Sequence, residues 1–322
     1  MSKRSHNDFR SGRERYRLVE FVQMVIALNS DPYYRLHIMS METVGTHVSK
    51  WGEGPIWFEN KLFYVDIEGH TVCSFDPETG EEMGCAVGER VGFVLPRKAG
   101  GFVIGGDSGI SFLNTETGTK THIVDPEPDK KPANRFNDAK CDPSGRIWAG
   151  TISTVKKEGD AALYCLNSNL ELSLKYPNVT NSNGLCWTRD KSKFYYIDTP
   201  SKKIRVFDFD DNCGEISNEA IAIDTSDIEG SPDGMTIDEN DNIWVAFCRG
   251  GCVKCFNPQT GDVLETLELP VSGVTSCVFG GENFDTLYIT TGQFANLDEE
   301  LAGRVFATKP GVRGLPTVAY VG

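Results

Sequence analysis

The chain has 322 residues, 39% of them apolar and 24% charged, with a formal net charge of −14. That balance is ordinary for a globular protein, and its sign argues against a nucleic-acid surface, which needs a basic stripe. No apolar run reaches the roughly 18 residues of a membrane-spanning helix, so neither nucleic acid nor membrane is expected as a partner.

Residues 1–40 read as an extension, helical or disordered, ahead of a domain covering 41–322. Arg4, Arg10, Arg13, Arg15 and Arg17 precede the apolar stretch LVEFVQMVIAL (18–28), partly as in an organelle-targeting segment. Asp8, Glu14 and Glu20 count against that reading. Beyond them a unit recurs. Its most regular part is a strand with a central aromatic or apolar core: LFYVDI (62–67), GFVIGG (101–106), RIWAGT (146–151), FYYIDT (194–199), NIWVAF (242–247) and TLYITT (286–291). Measured between Tyr64, Phe102, Trp148, Tyr195, Trp244 and Tyr288, the steps are 38, 46, 47, 49 and 44 residues.

A turn and one short apolar strand precede each of these, as in PIWF (55–58), AKCD (139–142) and GMTID (234–238). A further strand ending in a turn follows, as in CSFDPETG (73–80) and KCFNPQTG (254–261). Each unit thus reads strand, turn, strand, turn, strand, with a longer segment left for a fourth strand. Six such units predict an all-β fold, a six-bladed β-propeller. The last unit shows only three strands before the chain ends, so TVGTHV (43–48) is expected to supply its missing strand and close the ring.

In this architecture the first strand of every unit lies nearest the axis, and the starts of those strands gather at one mouth of the central channel. Reading the starts gives Glu53, the stretch Arg90–Phe93, Asn137, Asn183, Asp233 and Thr275–Ser276. Asn137 to Asn183 is 46 residues and Asn183 to Asp233 is 50, one repeat each. Carboxylate and amide oxygens without imidazole or thiolate suit a hard cation such as Ca²⁺ or Mg²⁺. Glu53, Asn183 and Asp233 would leave positions open for water or substrate, and Asp233 could double as a base. Arg135, two residues before Asn137, is expected on the same face of its strand, where it could hold polar substrate oxygens. The bland alternative is that Asn183-Gly184 and Asp233-Gly234 are β-turn dipeptides and Glu53 a loop residue.

None of the five histidines lies after residue 122 or at an inner-strand start, which disfavours a Ser-His-Asp hydrolase or a histidine-ligated zinc site. Of the ten cysteines, Cys248, Cys252 and Cys255 are the tempting group. Cys252 and Cys255 fall in one strand, three residues apart and on opposite faces, so neither chelation nor a redox pair is expected. The others occupy strand-like runs as small core residues, and a reducing cytoplasm is the expected compartment.

Taken together, GEGPIW (52–57), RFNDAKCDPSGRIWAGT (135–151), NSNGLCW (181–187), FYYID (194–198), SPDGMTID (231–238), IWVAF (243–247) and TSCVFGG (275–281) resemble the regucalcin, gluconolactonase and luciferin-regenerating enzyme family, in order, over about 41–322. The resemblance implies a six-bladed propeller holding one divalent cation in its channel, with Ca²⁺ expected and Zn²⁺, Mg²⁺ or Mn²⁺ as alternatives. It also implies hydrolysis of a small lactone such as gluconolactone. By motif, the metal ligands fall on Glu53, Asn183 and Asp233, the last also as base, and the substrate contacts on Arg135 and Asn137. The chain departs from regucalcin in TISTVKKEGDAALY (151–164). There the family's acidic lid residue is met by Val155, or by Glu158 if a gap falls earlier. No obligatory protein partner is implied. A calcium-binding regulatory protein with little or no catalysis is the second expectation, luciferin-regenerating activity another, and a propeller scaffold of WD type the last. The recurrent GH…WD signature of that last class is missing.

Overall fold

The computed structural model describes residues 41–322, and the expected extension, residues 1–40, lies outside the described residues. Strand β1 (Glu42–Val44) opens the described chain, and with the strands that follow it forms six four-stranded antiparallel sheets. Blade 1 holds β2 (Gly52–Phe58), β3 (Lys61–Asp66), β4 (Thr71–Phe75) and β5 (Glu82–Ala86). Blade 2 holds β6 (Val91–Pro96), β7 (Phe102–Gly106), β8 (Gly109–Asn114) and β9 (Thr119–Val124). Blade 3 holds β10 (Asn134–Cys141), β11 (Ile147–Ser153), β12 (Ala161–Leu166) and β13 (Leu172–Val179). Blade 4 holds β14 (Ser182–Trp187), β15 (Lys193–Asp198), β16 (Lys203–Asp210) and β17 (Glu215–Asp224). Blade 5 holds β18 (Ser231–Ile237), β19 (Ile243–Cys248), β20 (Cys252–Phe256) and β21 (Val263–Glu268). Blade 6 holds β22 (Val274–Gly280), β23 (Thr286–Thr291) and β24 (Val305–Thr308), completed by β1. The fold is therefore the six-bladed all-β propeller that the repeat predicts. The closing strand pairs Glu42 with Ala307 and Val44 with Val305, starting one residue before the expected TVGTHV segment and ending well inside it.

The core lies between blades. All six marker aromatics are buried, each on the second strand of its blade and pressed against a neighbouring sheet. Trp148 meets Trp187 edge-on at 5.9 Å between blades 3 and 4, and Trp57 stacks on Tyr288 at 5.4 Å between blades 1 and 6. Each such ring contributes about 1.5–3 kcal/mol by leaving water. Burial would orphan the indole N–H of Trp148 and Trp244, and an aspartate six residues upstream prevents it. Asp142 Oδ2 accepts from Trp148 Nε1 at 3.0 Å and Asp238 Oδ2 from Trp244 Nε1 at 3.1 Å. The outermost strands β5, β9, β13, β17 and β21 are mostly exposed, so they lack the alternation that would have announced them.

Every innermost strand carries a break in register at one phase: Glu53/Ile56, Val91/Phe93, Phe136/Ala139, Asn183/Leu185, Pro232/Met235 and Val274/Ser276. Such bulges bend a strand and re-aim its side chains. They also correct the β-turn reading of Asn183-Gly184 and Asp233-Gly234, because both dipeptides lie inside strands at the bulge. Gly184 has no positive φ, and what it supplies is room. A Cβ there would stand 2.8 Å from the Asp233 carbonyl oxygen and 2.8 Å from Met235 Cγ.

After β24 the chain crosses the opposite mouth of the channel. Asp238 bridges Gly314, and the tail then reaches blade 2, where Arg97 pairs with Tyr320. Tyr320 is fully buried in the core between blades 2 and 3, and its hydroxyl donates to the Asn167 carbonyl at 2.6 Å. All ten cysteines are free, with Cys252 and Cys255 in β20 and both buried.

Candidate functional site

Glu53, Arg135, Asn137, Asn183 and Asp233 come from four different blades, and all five are buried. Each sits in the first half of its inner strand, at or beside the bulge. The inner strands begin earlier than their apolar runs suggest: β10 starts at Asn134 rather than Ala139, and β18 at Ser231 rather than Gly234. Their opening residues are polar because they face the channel and one another, so hydropathy alone does not register them as strand.

Hydrogen bonds tie three of the five together. Asn137 Nδ2 donates to the Ser182 carbonyl at 2.7 Å and to Asn183 Oδ1 at 3.0 Å, while Asn137 Oδ1 accepts from Arg135 Nη1 at 2.8 Å. Asn183 is oriented from behind by a chain of two hydrogen bonds. Thr199 Oγ1 donates to the Pro232 carbonyl at 2.9 Å, so it must accept from Asn183 Nδ2 at 2.7 Å. The amide oxygen of Asn183 is thereby the end presented to Asn137. Arg135 also donates from Nη1 to the Phe136 carbonyl at 2.8 Å, and its Nε is buried without a protein partner. Burial, and then the neighbouring Arg90, draw the Arg135 guanidinium down to about 10.

The other two residues form a carboxyl pair. The Glu53 and Asp233 carboxyls lie close enough to shift each other's ionisation, and the Gly54 N–H donates to Glu53 Oε2 at 2.8 Å. Burial pushes Glu53 up to about 8, with the charge of Asp138 adding to it, and burial followed by Glu53 raises Asp233 well above the carboxylate range. Two carboxyls so placed hold a proton between them at neutral pH. A divalent cation is the other way to neutralise such a pair, and with the Asn183 oxygen the donors are all hard, as Ca²⁺ or Mg²⁺ requires. Among the described residues no three His, Cys, Asp or Glu side chains are grouped to hold a metal, so a cation site here has to include an amide or backbone oxygen.

Two neighbours escaped the sequence reading. Asp138 is buried and pushed up to about 6, with burial as the leading cause. It follows Asn137 directly in RFND, and a carboxylate next to a residue at the recurring phase was the available signal. Cys248, considered above only as a metal ligand, lies at the end of β19 against Asp233, and burial followed by that carboxyl raises its thiol. In the loop after β11, Val155 is 65% exposed and Glu158 is also exposed. Neither is gathered with the five buried residues.

With this geometry in view, the likenesses to known proteins are informative. The family model described as SMP-30/Gluconolactonase/LRE-like region matches residues 51–293. Regucalcin of Danio rerio is 38% identical over 295 residues, covering 88% of this chain and 99% of that protein. The solved structure of a luciferin-regenerating enzyme superposes with a TM-score of 0.83 at 30% identity, over 88% of this chain and all of that one. A calcium-binding protein, regucalcin, from Agrobacterium tumefaciens str. C58 shares the fold at a TM-score of 0.82 and 22% identity, over 88% of this chain and 97% of that one.

Proposed function

The chain belongs to the SMP-30/Gluconolactonase/LRE-like family, and from that premise we propose that it is a divalent-cation-dependent hydrolase that opens small lactones of the gluconolactone class. The observation that carries this reading is the buried Glu53–Asp233 carboxyl pair beside the oriented oxygen of Asn183. Ca²⁺ is the cation proposed first, with Mg²⁺, Mn²⁺ and Zn²⁺ as alternatives. When bound, a cation of this kind polarises a carbonyl oxygen and acidifies water. Asp233 would accept the proton of the attacking water at its carboxylate, a contribution of roughly 10²–10⁴-fold. Arg135 would meet ring or exocyclic oxygens of the substrate with the Nε donor that has no protein partner. Asn137, its own donors engaged by Ser182 and Asn183, would hold Arg135 and Asn183 in place as much as touch substrate.

The test is hydrolysis of D-glucono-1,5-lactone by chelated protein, by protein with Ca²⁺ restored, and by Asp233→Ala. Activity should follow the cation and fall by several orders of magnitude in the variant. Undiminished turnover in Asp233→Ala would rule out the mechanism. The likeness to regucalcin favours a second reading, a calcium-binding protein with little or no catalysis. Stoichiometric Ca²⁺ binding with no turnover across a lactone panel would select it. The exposed Val155 in the lid loop also suits a less hydroxylated substrate than a sugar lactone, including one resembling those of luciferin-regenerating enzymes.

A further inference from the structure

Among the described residues a cavity lies away from the carboxylate mouth. It is an open pocket of about 360 Å³ at the other end of the channel, within the range of small-molecule sites. Its walls include Ile56, Lys140, Cys186, Thr236 and Val278, which follow Glu53, Asn137, Asn183, Asp233 and Thr275 by three residues on the inner strands. Three strand residues span about 10 Å, so the cavity is a separate compartment beneath the acidic layer. The C-terminal tail contributes Leu315–Val318 to it.

Its charge is opposite in sign to that of the upper mouth. The lining residues include Lys140, Arg189 and Lys191, and none is acidic. Lys191 is already paired with Asp211 at 3.1 Å. Lys140 makes no ion pair among the described residues. It reaches across the channel from blade 3, and its ammonium donates to the Met235 carbonyl in blade 5. An ammonium has three donors, and this half-buried one spends one on a carbonyl, leaving the others for water or a ligand. Most of the remaining surface is apolar, with Ile56, Leu95, Ile237, Val278 and Leu315, and Thr236 and Thr317 are among its polar groups.

We propose that this lower compartment binds a small amphipathic carboxylic acid, its carboxylate paired with Lys140 and its hydrocarbon part against Ile56, Leu95, Ile237, Val278 and Leu315. One unpaired inner cation amid apolar walls matches a monoanion. A phosphate dianion would need a second inner cation, whereas Arg189 and Lys191 are both exposed to solvent. At about 30 Å³ for each water-sized group, the volume accepts roughly a dozen such groups, enough for an eight-carbon acid.

The probe is sodium octanoate, titrated calorimetrically into the full chain with chelator present, so that no cation at the upper mouth takes the carboxylate. One-to-one saturable binding is expected, with 1-octanol about tenfold weaker or worse and octylamine not binding. Lys140→Met should reduce octanoate to the octanol level, and Asp233→Asn should leave it unchanged. The proposal fails if octanoate gives no saturable binding, if octanol binds as well as octanoate, or if Lys140→Met has no effect. It fails equally if Asp233→Asn, rather than Lys140→Met, abolishes binding, because the acid then sits at the upper mouth. The octanoate–octanol comparison uses the unmodified chain, so it decides the question even if the lysine variant does not fold.

Discussion

Glu53 and Asp138 show what a propeller channel does to a carboxyl. In water each would ionise near its ordinary value, 4.5 for Glu53 and 3.8 for Asp138, but burial pushes them up to about 8 and about 6. Between about pH 4.5 and about pH 8 the folded chain therefore keeps a proton at Glu53 that the unfolded chain has released. Stability must then fall as pH rises through that window, since the unfolded state binds fewer protons. Urea denaturation of the chelated protein should show a lower midpoint at pH 8 than at pH 5. Saturating Ca²⁺ should restore the pH 8 midpoint by binding the charged form. A midpoint that is flat with pH, with and without the cation, would contradict the buried carboxyl pair. Arg135 offers a second check at this scale. Arg135→Lys keeps the charge but loses the planar guanidinium, whose Nη1 holds Asn137 and Phe136 while Nε is free for substrate, so KM for the lactone should rise by about tenfold while cation binding is retained.

Among elements, the bulged inner strand is the device that makes a site. An unbroken strand alternates its side chains strictly, and the break at each start turns Glu53, Asn183 and Asp233 toward the axis. Glycine at the break lets one inner strand approach the next. Gly184→Ala would press a methyl group against the Asp233 carbonyl, which is backbone and cannot rotate away. A loss of about 1–3 kcal/mol is expected from overpacking, read by urea denaturation, together with weaker cation binding because Asp233 itself is displaced. The repeat register found these residues, yet the same dipeptides passed equally for hairpin turns. Sequence spacing says that Asn183 and Asp233 are equivalent. It does not say whether the chain reverses there or only bulges.

For the whole molecule, the ring is closed twice. Strand β1 completes blade 6 near the N-terminal end of the described chain, and the C-terminal tail ties blade 6 to blade 2 across the lower mouth. The first closure was legible, since a three-stranded last unit implies a missing strand. The second was not, because the tail follows no repeat and its anchor, Tyr320, looks like any terminal aromatic. Tyr320→Ala removes a fully buried ring and the 2.6 Å hydrogen bond to Asn167, and should cost about 3–5 kcal/mol. Calorimetry should register a lowered Tm with the propeller's strand signal unchanged at 25 °C. An unaltered Tm would mean that the tail is not a clasp.

The sequence by itself determined the number of blades, their hydrophobic markers and the phase at which oxygen-bearing side chains return, because all three are periodic and a repeat can be laid over itself. Only the tertiary structure decided that those side chains are buried and bonded to one another, that Asp138 and Cys248 adjoin them, and that a basic, apolar compartment lies beneath. These depend on distances between blades, and residues about 46 to 50 apart become neighbours only when the ring closes. The same holds for the raised Glu53 and Asp233 carboxyls, which no local spacing encodes, since their cause is the water excluded by five other blades.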